Sequence, residues 1–185
     1  MSTPSFPVPQ RRTESRVRDA VEANYEALYR FVRRLGVESA DVEDAVQRVL
    51  VVFAERIASV TRGSERSFLF GTAVRVASDV RKKRARSREV SADGVLDMHV
   101  DPLPDAAARI DDERLRAWLD VVLDGLPEEN RTVLVLVDIE EQTMAEAATM
   151  LGLPPGTVAS RLRRGRELFE RGANELRAKL EGGTR

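Results

Sequence analysis

The sequence has no cysteine and only one histidine, His99, among its 185 residues. Without cysteine the chain can form neither disulfides nor thiolate metal sites. A lone histidine in a polar segment is more readily a solvated loop residue than a metal ligand or a catalytic base. No apolar run approaches the roughly 20 residues of a membrane span, and the N-terminus lacks the apolar core of a signal peptide. We therefore expect a soluble cytoplasmic protein that uses no metal and no cofactor.

Aromatic residues are also scarce, at 5% of the chain, whereas charged residues make up 33%. This composition favours small helical bundles over a large aromatic-rich core. The net charge is only −1, but the charges are unevenly distributed. Residues 81–88 carry six basic side chains and no acid, while residues 93–124 carry nine acids against three arginines. Such asymmetry points to a nucleic-acid partner better than the total charge does.

Apolar residues recur every three or four positions along most of the chain, which predicts amphipathic helices. In the first half the predicted helices run from about Glu14 to Leu35, from about Asp41 onward, and from Phe68 to Arg84. The residues predicted to face inward on these helices are Val17, Val21, Asn24, Leu28, Phe31 and Leu35, then Val42, Ala45, Val46, Val49, Phe53 and Ile57, then Leu69, Thr72, Ala73, Val76 and Val80.

The second half predicts a helix from about Ala106 that is ended by Gly125, and another from Leu126 to about Asp138. The run at 133–137 consists of leucine and β-branched residues, so by propensity it could be a buried strand. No second strand is available to pair with it, and a helix is the better prediction. The apolar members of the helix before Gly125 are Ile110, Leu115, Trp118, Leu119, Val122 and Leu123.

The most informative stretch lies further on, at 142–168. Thr143 and Glu146 form a T-x-x-E capping box, and Gly152 follows a short apolar helix at the place where a residue free to adopt positive φ is needed. Pro155 suits the first turn of the next helix. This pattern is typical of a helix-turn-helix whose second helix enters the DNA major groove, although a solvated amphipathic helix rich in arginine is the alternative. The polar stripe of that second helix consists of Thr157, Ser160, Arg161 and Arg164.

Two regions without helical periodicity set the domain boundaries. Residues 1–12 contain three prolines and little that could pack, which predicts a disordered arm. Residues 89–105 combine glycine, prolines and aspartates without periodicity, which predicts a flexible acidic linker. The predicted fold is all-α, with one small helical bundle at 13–88 and a second at 106–185 that contains the helix-turn-helix.

Two further features of the first half have both a structural and a functional interpretation. Phe68 and Phe70 stand beside the polar loop 59–67 and upstream of the basic run. Aromatic rings beside cations can stack and pair with single-stranded DNA, although two phenylalanines at a helix start are more often plain core. Asp41 and Asp44, with Gln47 one turn later, either complement the helix dipole or form an acidic patch for a basic partner.

Three segments together resemble an extracytoplasmic-function sigma factor of bacterial RNA polymerase. They are DVEDAVQRVLVVFAERI at 41–57, SFLFGTAVRVASDVRKK at 67–83, and LPEENRTVLVLVDIEEQTMAEAATMLGLPPGTVASRLRRGREL at 126–168. The distal block is the most specific, although output domains of other regulators share part of it. Those domains lack the proximal D-x-E-D-x-x-Q segment, so the combination decides the family.

The resemblance implies a promoter-specificity subunit with two helical domains, region 2 and region 4, and no catalytic residues. It implies two partners, the clamp coiled coil of the polymerase core and promoter DNA. Family members are often also bound by an inhibitory anti-sigma factor. The residues that match the core-binding helix are Asp41, Asp44 and Gln47. Those that match the part capturing the unpaired −10 element are Arg62, Phe68, Phe70, Arg75, Lys82 and Lys83. Those that match the reader of the −35 element are Thr157, Ser160, Arg161, Arg163, Arg164 and Arg166.

The chain departs from the family pattern in its proximal half. Arg48 replaces the usual glutamate, Phe68 stands where tryptophan is frequent, and Gly71, Val74 and Arg75 replace an R-x-x-R-N pattern. These changes bear on the selection of −10 bases more than on the fold.

Two other classes of protein are alternatives. A conventional repressor or activator would bind duplex DNA as a dimer through the same helix-turn-helix, and would need a palindromic site. An enzyme has little support, because the sequence offers no phosphate-cradling glycine loop, no metal cluster and no base for a nucleophile.

Overall fold

The computed structural model describes residues 8–90 and 110–182, and within these ranges the chain is helical and contains no strand. The all-α prediction is confirmed. Contacts group the chain into two compact units, one of residues up to 33 together with 37–80, the other of residues 34–36 together with those from 81 onward. The helices are α1 (Val8–Arg34), α2 (Ser39–Arg56), α3 (Glu65–Val90), α4 (Ile110–Asp124), α5 (Glu128–Leu134), α6 (Met144–Leu151) and α7 (Pro155–Gly182).

The first unit has a core built from the inward stripes of α1, α2 and α3. On α2 every predicted inward residue is buried, and on α1 the stripe is buried from Asn24 onward, whereas Val17 and Val21 are half-buried. Asn24 is the polar member of that stripe, and its side-chain amide donates to the carbonyl of Ala20 at 2.7 Å. Because this bond satisfies the amide within its own helix, the polar residue is accommodated in an apolar stripe.

The start of α1 corrects one prediction. Residues 8–12 were predicted to belong to a disordered arm, but α1 begins at Val8 and contains them. Pro9 lies in the first turn, where a backbone N–H has no acceptor within the helix, so the proline ring costs little there. Residues 1–7 lie outside the described part of the chain, as does 91–109, where most of the predicted linker falls.

The boundaries of the other helices differ from the predictions by a few residues. Helix α3 begins at Glu65 rather than Phe68. Helix α4 is described from Ile110 onward, and its predicted start near Ala106 lies outside the described residues. The run at 133–137 is helical, as predicted, but with a change of geometry: α5 passes into a π-helical turn, Val135–Ile139. Residues 133–136 are all buried, which explains the unbroken apolar run.

The second unit is organised by α7, against which α4, α5 and α6 pack. Gly165 permits a close approach of α5 to α7, since a Cβ atom there would lie 3.1 Å from the carbonyl oxygen of Asn130. At Gly152, by contrast, nothing lies within 4 Å of an added Cβ atom, so its role is the conformational one that the sequence predicted.

Candidate nucleic-acid and polymerase interfaces

The turn between α6 and α7 is fixed by local hydrogen bonds. The backbone N–H of Glu146 donates to Thr143 Oγ1 at 3.2 Å, and the N–H of Thr143 donates to Glu146 Oε2 at 2.8 Å, so the predicted capping box is confirmed. Its hydrogen bonds from Thr143 lower the pKa of the Glu146 carboxyl. Gly152 adopts φ +63°, and the N–H of Leu153 reaches back to the carbonyl of Ala148 at 3.0 Å. Together these bonds set where α7 starts relative to α6.

Helix α7 presents the predicted cationic stripe on its outer side. Val158, Leu162 and Gly165 are buried, and the opposite face is solvated. Thr157 and Arg161 are half-buried, whereas Ser160, Arg163, Arg164 and Arg166 are exposed. The structure therefore places the six predicted −35 residues on one helix with their side chains at least partly accessible.

Three of these arginines have carboxylate partners in the second unit. Arg166 makes a bidentate pair with Asp138, with Nε and Nη2 at 2.8 and 2.6 Å from the two carboxylate oxygens, and this contact raises the pKa of Arg166. Arg161 Nη2 lies 2.8 Å from Glu129 Oε2, and Arg164 pairs with Glu167 one turn along its own helix at 3.0 Å. These partners hold the guanidinium groups in position in the absence of DNA.

Asn130 adds a second connection between α5 and the recognition helix. Its side-chain amide donates to the carbonyl of Arg161 at 3.1 Å. The backbone of α7 is therefore held at the level of Arg161, while Glu129 holds the side chain of the same residue. Sequence reasoning missed Glu129, Asn130 and Asp138, since they lie about 30 residues from their partners and no local pattern relates the two.

The predicted −10 residues lie in the loop between α2 and α3 and along α3 itself. A 3-10 turn, Ile57–Ser59, follows α2, and Arg62 is exposed in the loop beyond it. Gly63 adopts φ +88°, and the space around it is open. Arg75, Lys82 and Lys83 are exposed along α3. These cations are accessible to phosphates.

The two phenylalanines have different environments. Phe70 is completely buried, with its ring centroid 4.7 Å from that of Phe31 and the guanidinium of Arg66 4.5 Å above its ring. It is a core residue in this conformation, and its assignment as a stacking surface for DNA bases is withdrawn. Phe68 is half-buried, with its ring centroid 6.0 Å from that of Phe53, so part of its ring faces solvent.

The acidic start of α2 is accessible. Asp41 is half-buried in the first turn, and Asp44 and Gln47 are exposed further along the helix. Val51, at 56% exposure, continues that outer side two turns after Asp44. Helical periodicity could have identified Val51, because a residue seven positions after Asp44 returns to the same face of a helix. An exposed valine beside a polar patch adds an apolar contact to it.

Neither a metal-binding cluster nor a membrane-spanning helix is present within residues 8–90 and 110–182. No cluster of three or more histidine, cysteine or acidic residues there could hold a metal ion. No helix in the described part of the chain is long and apolar enough to cross a membrane.

Comparison with known proteins identifies both halves of the chain. Residues 20–87 match the family Sigma-70 region 2, and residues 116–169 match Sigma-70, region 4. The chain is 32% identical over 153 residues to the ECF RNA polymerase sigma factor EcfG of Rhodopseudomonas palustris, an alignment that covers 81% of each chain. It is 30% identical over 149 residues to the ECF RNA polymerase sigma factor SigE of Mycolicibacterium smegmatis, covering 80% of this chain but only 58% of SigE.

Two solved structures have a similar fold. One is the sigma factor RpoE in complex with the anti-sigma factor NepR from Bartonella quintana, with a TM-score of 0.70 and 23% identity over 85% of this chain and 96% of that chain. The other is CnrH in complex with the cytosolic domain of CnrY, with a TM-score of 0.59 and 23% identity over 85% of this chain and 86% of that chain.

Proposed function

The chain belongs to the ECF family of RNA polymerase sigma factors, and from this premise we propose that it confers promoter recognition on the core polymerase and supports promoter melting. The observation that carries the proposal is the pairing, on one chain, of a region 2 unit with a region 4 unit whose helix-turn-helix carries an accessible cationic stripe. The chain itself makes and breaks no bond in this scheme, and synthesis belongs to the polymerase.

We propose that α7 reads the −35 element in the major groove. Arginine can bind guanine through two parallel hydrogen bonds, worth about 1–3 kcal/mol of discrimination. Arg161 and Arg166 would exchange Glu129 and Asp138 for acceptors on DNA, either the O6 and N7 atoms of guanine or the phosphate oxygens. Thr157 lies about one turn before Arg161, Ser160 immediately precedes it, and both would contact bases or phosphates.

The region 2 unit is proposed to hold the unpaired −10 element. Extruding a base costs a few kcal/mol, roughly, and stacking on an aromatic ring returns about 1–3 kcal/mol per base. Phe68 is the ring that remains accessible for this, now that Phe70 is assigned to the core. Arg62, together with Arg75, Lys82 and Lys83 on α3, would pair with the phosphates on either side of the stacked base.

The outer side of α2 is proposed to dock on the clamp coiled coil of the polymerase core. Asp41 and Asp44 supply negative charge, Gln47 supplies hydrogen-bonding groups, and Val51 supplies apolar area. Charge complementarity of this kind speeds encounter and fixes register more than it adds affinity. Arg48 lies within this patch, where the family usually has glutamate. We therefore expect the coiled coil that contacts it to carry a different charge at the matching position.

Two weak DNA contacts on one tether explain the division into two units. Once one contact forms, the second becomes intramolecular, and avidity can rise ~10²–10⁴-fold when the spacing fits. Docking on the polymerase would fix that spacing, so the free chain should bind promoters weakly. We propose that the protein acts in the cytoplasm, where the polymerase acts.

An anti-sigma factor is proposed as a further partner. The support is that two solved structures of similar fold are a sigma factor bound to the anti-sigma factor NepR and CnrH bound to the cytosolic domain of CnrY. Binding of such a partner would compete with docking on the polymerase core.

Run-off transcription with purified core polymerase on a genomic promoter library tests the function. We expect the chain to direct initiation at a subset of promoters that share two short elements, at levels that core polymerase alone does not reach. Initiation no different from that of core alone would overturn the proposal. A sequence-specific gel shift on palindromic duplex DNA without polymerase would instead favour a dimeric helix-turn-helix regulator.

A further inference from the structure

Arg16, on α1, makes hydrogen bonds on both sides of the loop that connects α2 to α3. Arg16 Nη1 donates to the carbonyl of Ile57 at 3.1 Å, and Nη2 donates to the carbonyl of Val60 at 2.7 Å. Nε donates to Glu65 Oε1, also at 2.7 Å. A single planar guanidinium group therefore joins the end of the 3-10 turn to the first residue of α3, which lie on opposite sides of the loop.

Glu65 extends this connection into the loop. Its other carboxylate oxygen, Oε2, accepts the backbone N–H of Gly63 at 2.7 Å. Gly63 is the loop residue at φ +88°, so the bond holds the chain at the point where it turns. Its own backbone N–H and Arg16 lower the pKa of the Glu65 carboxyl, and the group stays ionised near neutral pH.

The pair is shielded, whereas the loop that it holds is solvated. The side chains of Arg16 and Glu65 are 19% and 18% exposed. By contrast, the ion pair between Arg30 and Glu26 on the same helix α1 has side chains 49% and 87% exposed and a longer contact, 3.4 Å. Exposed pairs of that kind contribute little, but charge-assisted bonds with restricted access to water are stronger. We call Arg16 and Glu65 the loop clasp.

We propose that the loop clasp consists of positioning residues that set the shape of residues 60–64 and thereby determine which bases the region 2 unit accepts at the −10 element. The inference rests on the proposed function and extends it to two residues that need not touch DNA. Arg62 lies between the two ends that the clasp holds, and Phe68 lies one turn of α3 after Glu65. Fixing both ends of the loop fixes where these two side chains can meet a base and its phosphate.

The clasp is more than an ion pair, and its geometry predicts how variants behave. Arg16→Lys keeps the charge but offers one nitrogen in place of a three-donor fork, so it cannot hold Ile57, Val60 and Glu65 together. The charge swap Arg16→Glu with Glu65→Arg should also fail, because a carboxylate at 16 would face two carbonyl oxygens. A simple ion pair would be restored by that swap.

The test is run-off transcription on two promoter libraries, one varied only at the −10 bases and one varied only at the −35 bases. The proteins are the full chain, Glu65→Gln, Arg16→Lys, and the charge swap, each with core polymerase at a temperature where circular dichroism shows the variant folded. We expect the ratio between the best and worst −10 sequences to fall by roughly three- to tenfold in each variant, the loss expected when part of one base contact is removed. The −35 ratios should be unchanged.

Arg30→Met is the matched control, since it removes an exposed ion pair from the same helix, and it should leave both ratios at wild-type values. Equal loss of activity on both libraries would mean that the clasp only stabilises the fold, and would overturn the inference. Unchanged −10 ratios, or recovery in the charge swap, would overturn it as well. If the unaltered chain directs no initiation at all, the proposed function itself fails, which is a separate outcome.

Discussion

Phe70→Ala should strongly destabilise the first unit, whereas Phe68→Ala should chiefly weaken binding of single-stranded DNA. The ring of Phe70 has no exposed surface and packs 4.7 Å from that of Phe31. Truncating a buried phenylalanine to alanine costs about 3–5 kcal/mol, a figure that includes the aromatic contact, worth about 0.5–1.5 kcal/mol. Domains are stable by only about 5–15 kcal/mol, so the variant should lose a large fraction of the unit's free energy of unfolding.

Phe68 is half-buried, so its truncation should cost less, about 1–2 kcal/mol. If a −10 base stacks on its exposed part, the variant should lose about 1–3 kcal/mol of binding per base. By the usual conversion that is roughly a 5- to 150-fold loss of affinity. The two variants therefore separate stability from recognition, although the residues stand only two positions apart.

The chain allows the two units to be followed independently in one urea titration. Its two tyrosines, Tyr25 and Tyr29, lie on α1 in the first unit, and its single tryptophan, Trp118, lies on α4 in the second. In Phe70→Ala, the transition followed by the near-ultraviolet circular dichroism of tyrosine should shift to a lower urea concentration. The transition followed by tryptophan fluorescence should keep its wild-type midpoint. Binding of a labelled −10 strand, with core polymerase present, is measured by anisotropy. A Phe70→Ala protein with the wild-type urea midpoint but no strand binding would refute the assignment of Phe70 to the core.

Four further predictions concern other parts of the molecule. Gly152→Ala should lower the stability of the second unit by about 1–2 kcal/mol, read from tryptophan fluorescence in urea, because the residue sits at φ +63° in open space and only its conformation is at stake; an unchanged midpoint would contradict this. Arg161→Ala should weaken −35 duplex binding by about 1–3 kcal/mol, with Arg171→Ala on the same helix as the neutral control, and an unchanged footprint would count against the assignment. The double variant Asp41→Lys with Asp44→Lys should co-purify less with core polymerase without loss of helical circular dichroism, and co-purification at the wild-type level would refute the docking surface. Because the pKa of Glu65 is lowered from its ordinary value of 4.5, its contribution to stability is complete above that pH and is lost as the pH falls through the lowered value; Glu65→Gln should flatten this part of the stability profile, and an identical acid limb would show that the carboxylate is not linked to folding.

The features that sequence reasoning predicted correctly are those fixed by neighbours in the chain. The capping box of Thr143 and Glu146 and the left-handed Gly152 are local signals, and the structure has them as expected. The inward stripe of α2 follows from helical periodicity alone. Where local signals compete, prediction was less accurate: the prolines before residue 12 suggested disorder, but Pro9 is compatible with the first turn of α1.

The features that could not be predicted depend on distant parts of the chain. Whether Phe68 or Phe70 is buried is decided by Phe31 and Phe53, which belong to other helices. The partners of the α7 arginines come from α5 and the turn after it, and Arg16 meets Glu65 across 49 positions. Side chains at such separations carry no sequence periodicity in common, so a single sequence does not relate them.

The most direct test of the account is the affinity for promoter DNA measured with and without core polymerase. Four fragments are needed: one with both elements intact, one with each element scrambled in turn, and one with both scrambled. With core present, we expect scrambling either element to cost affinity, and the intact fragment to be bound up to ~10²–10⁴-fold more tightly than by the free chain. If the free chain binds the intact fragment as tightly as the complex does, or if one element alone accounts for all binding, the two-contact account is wrong.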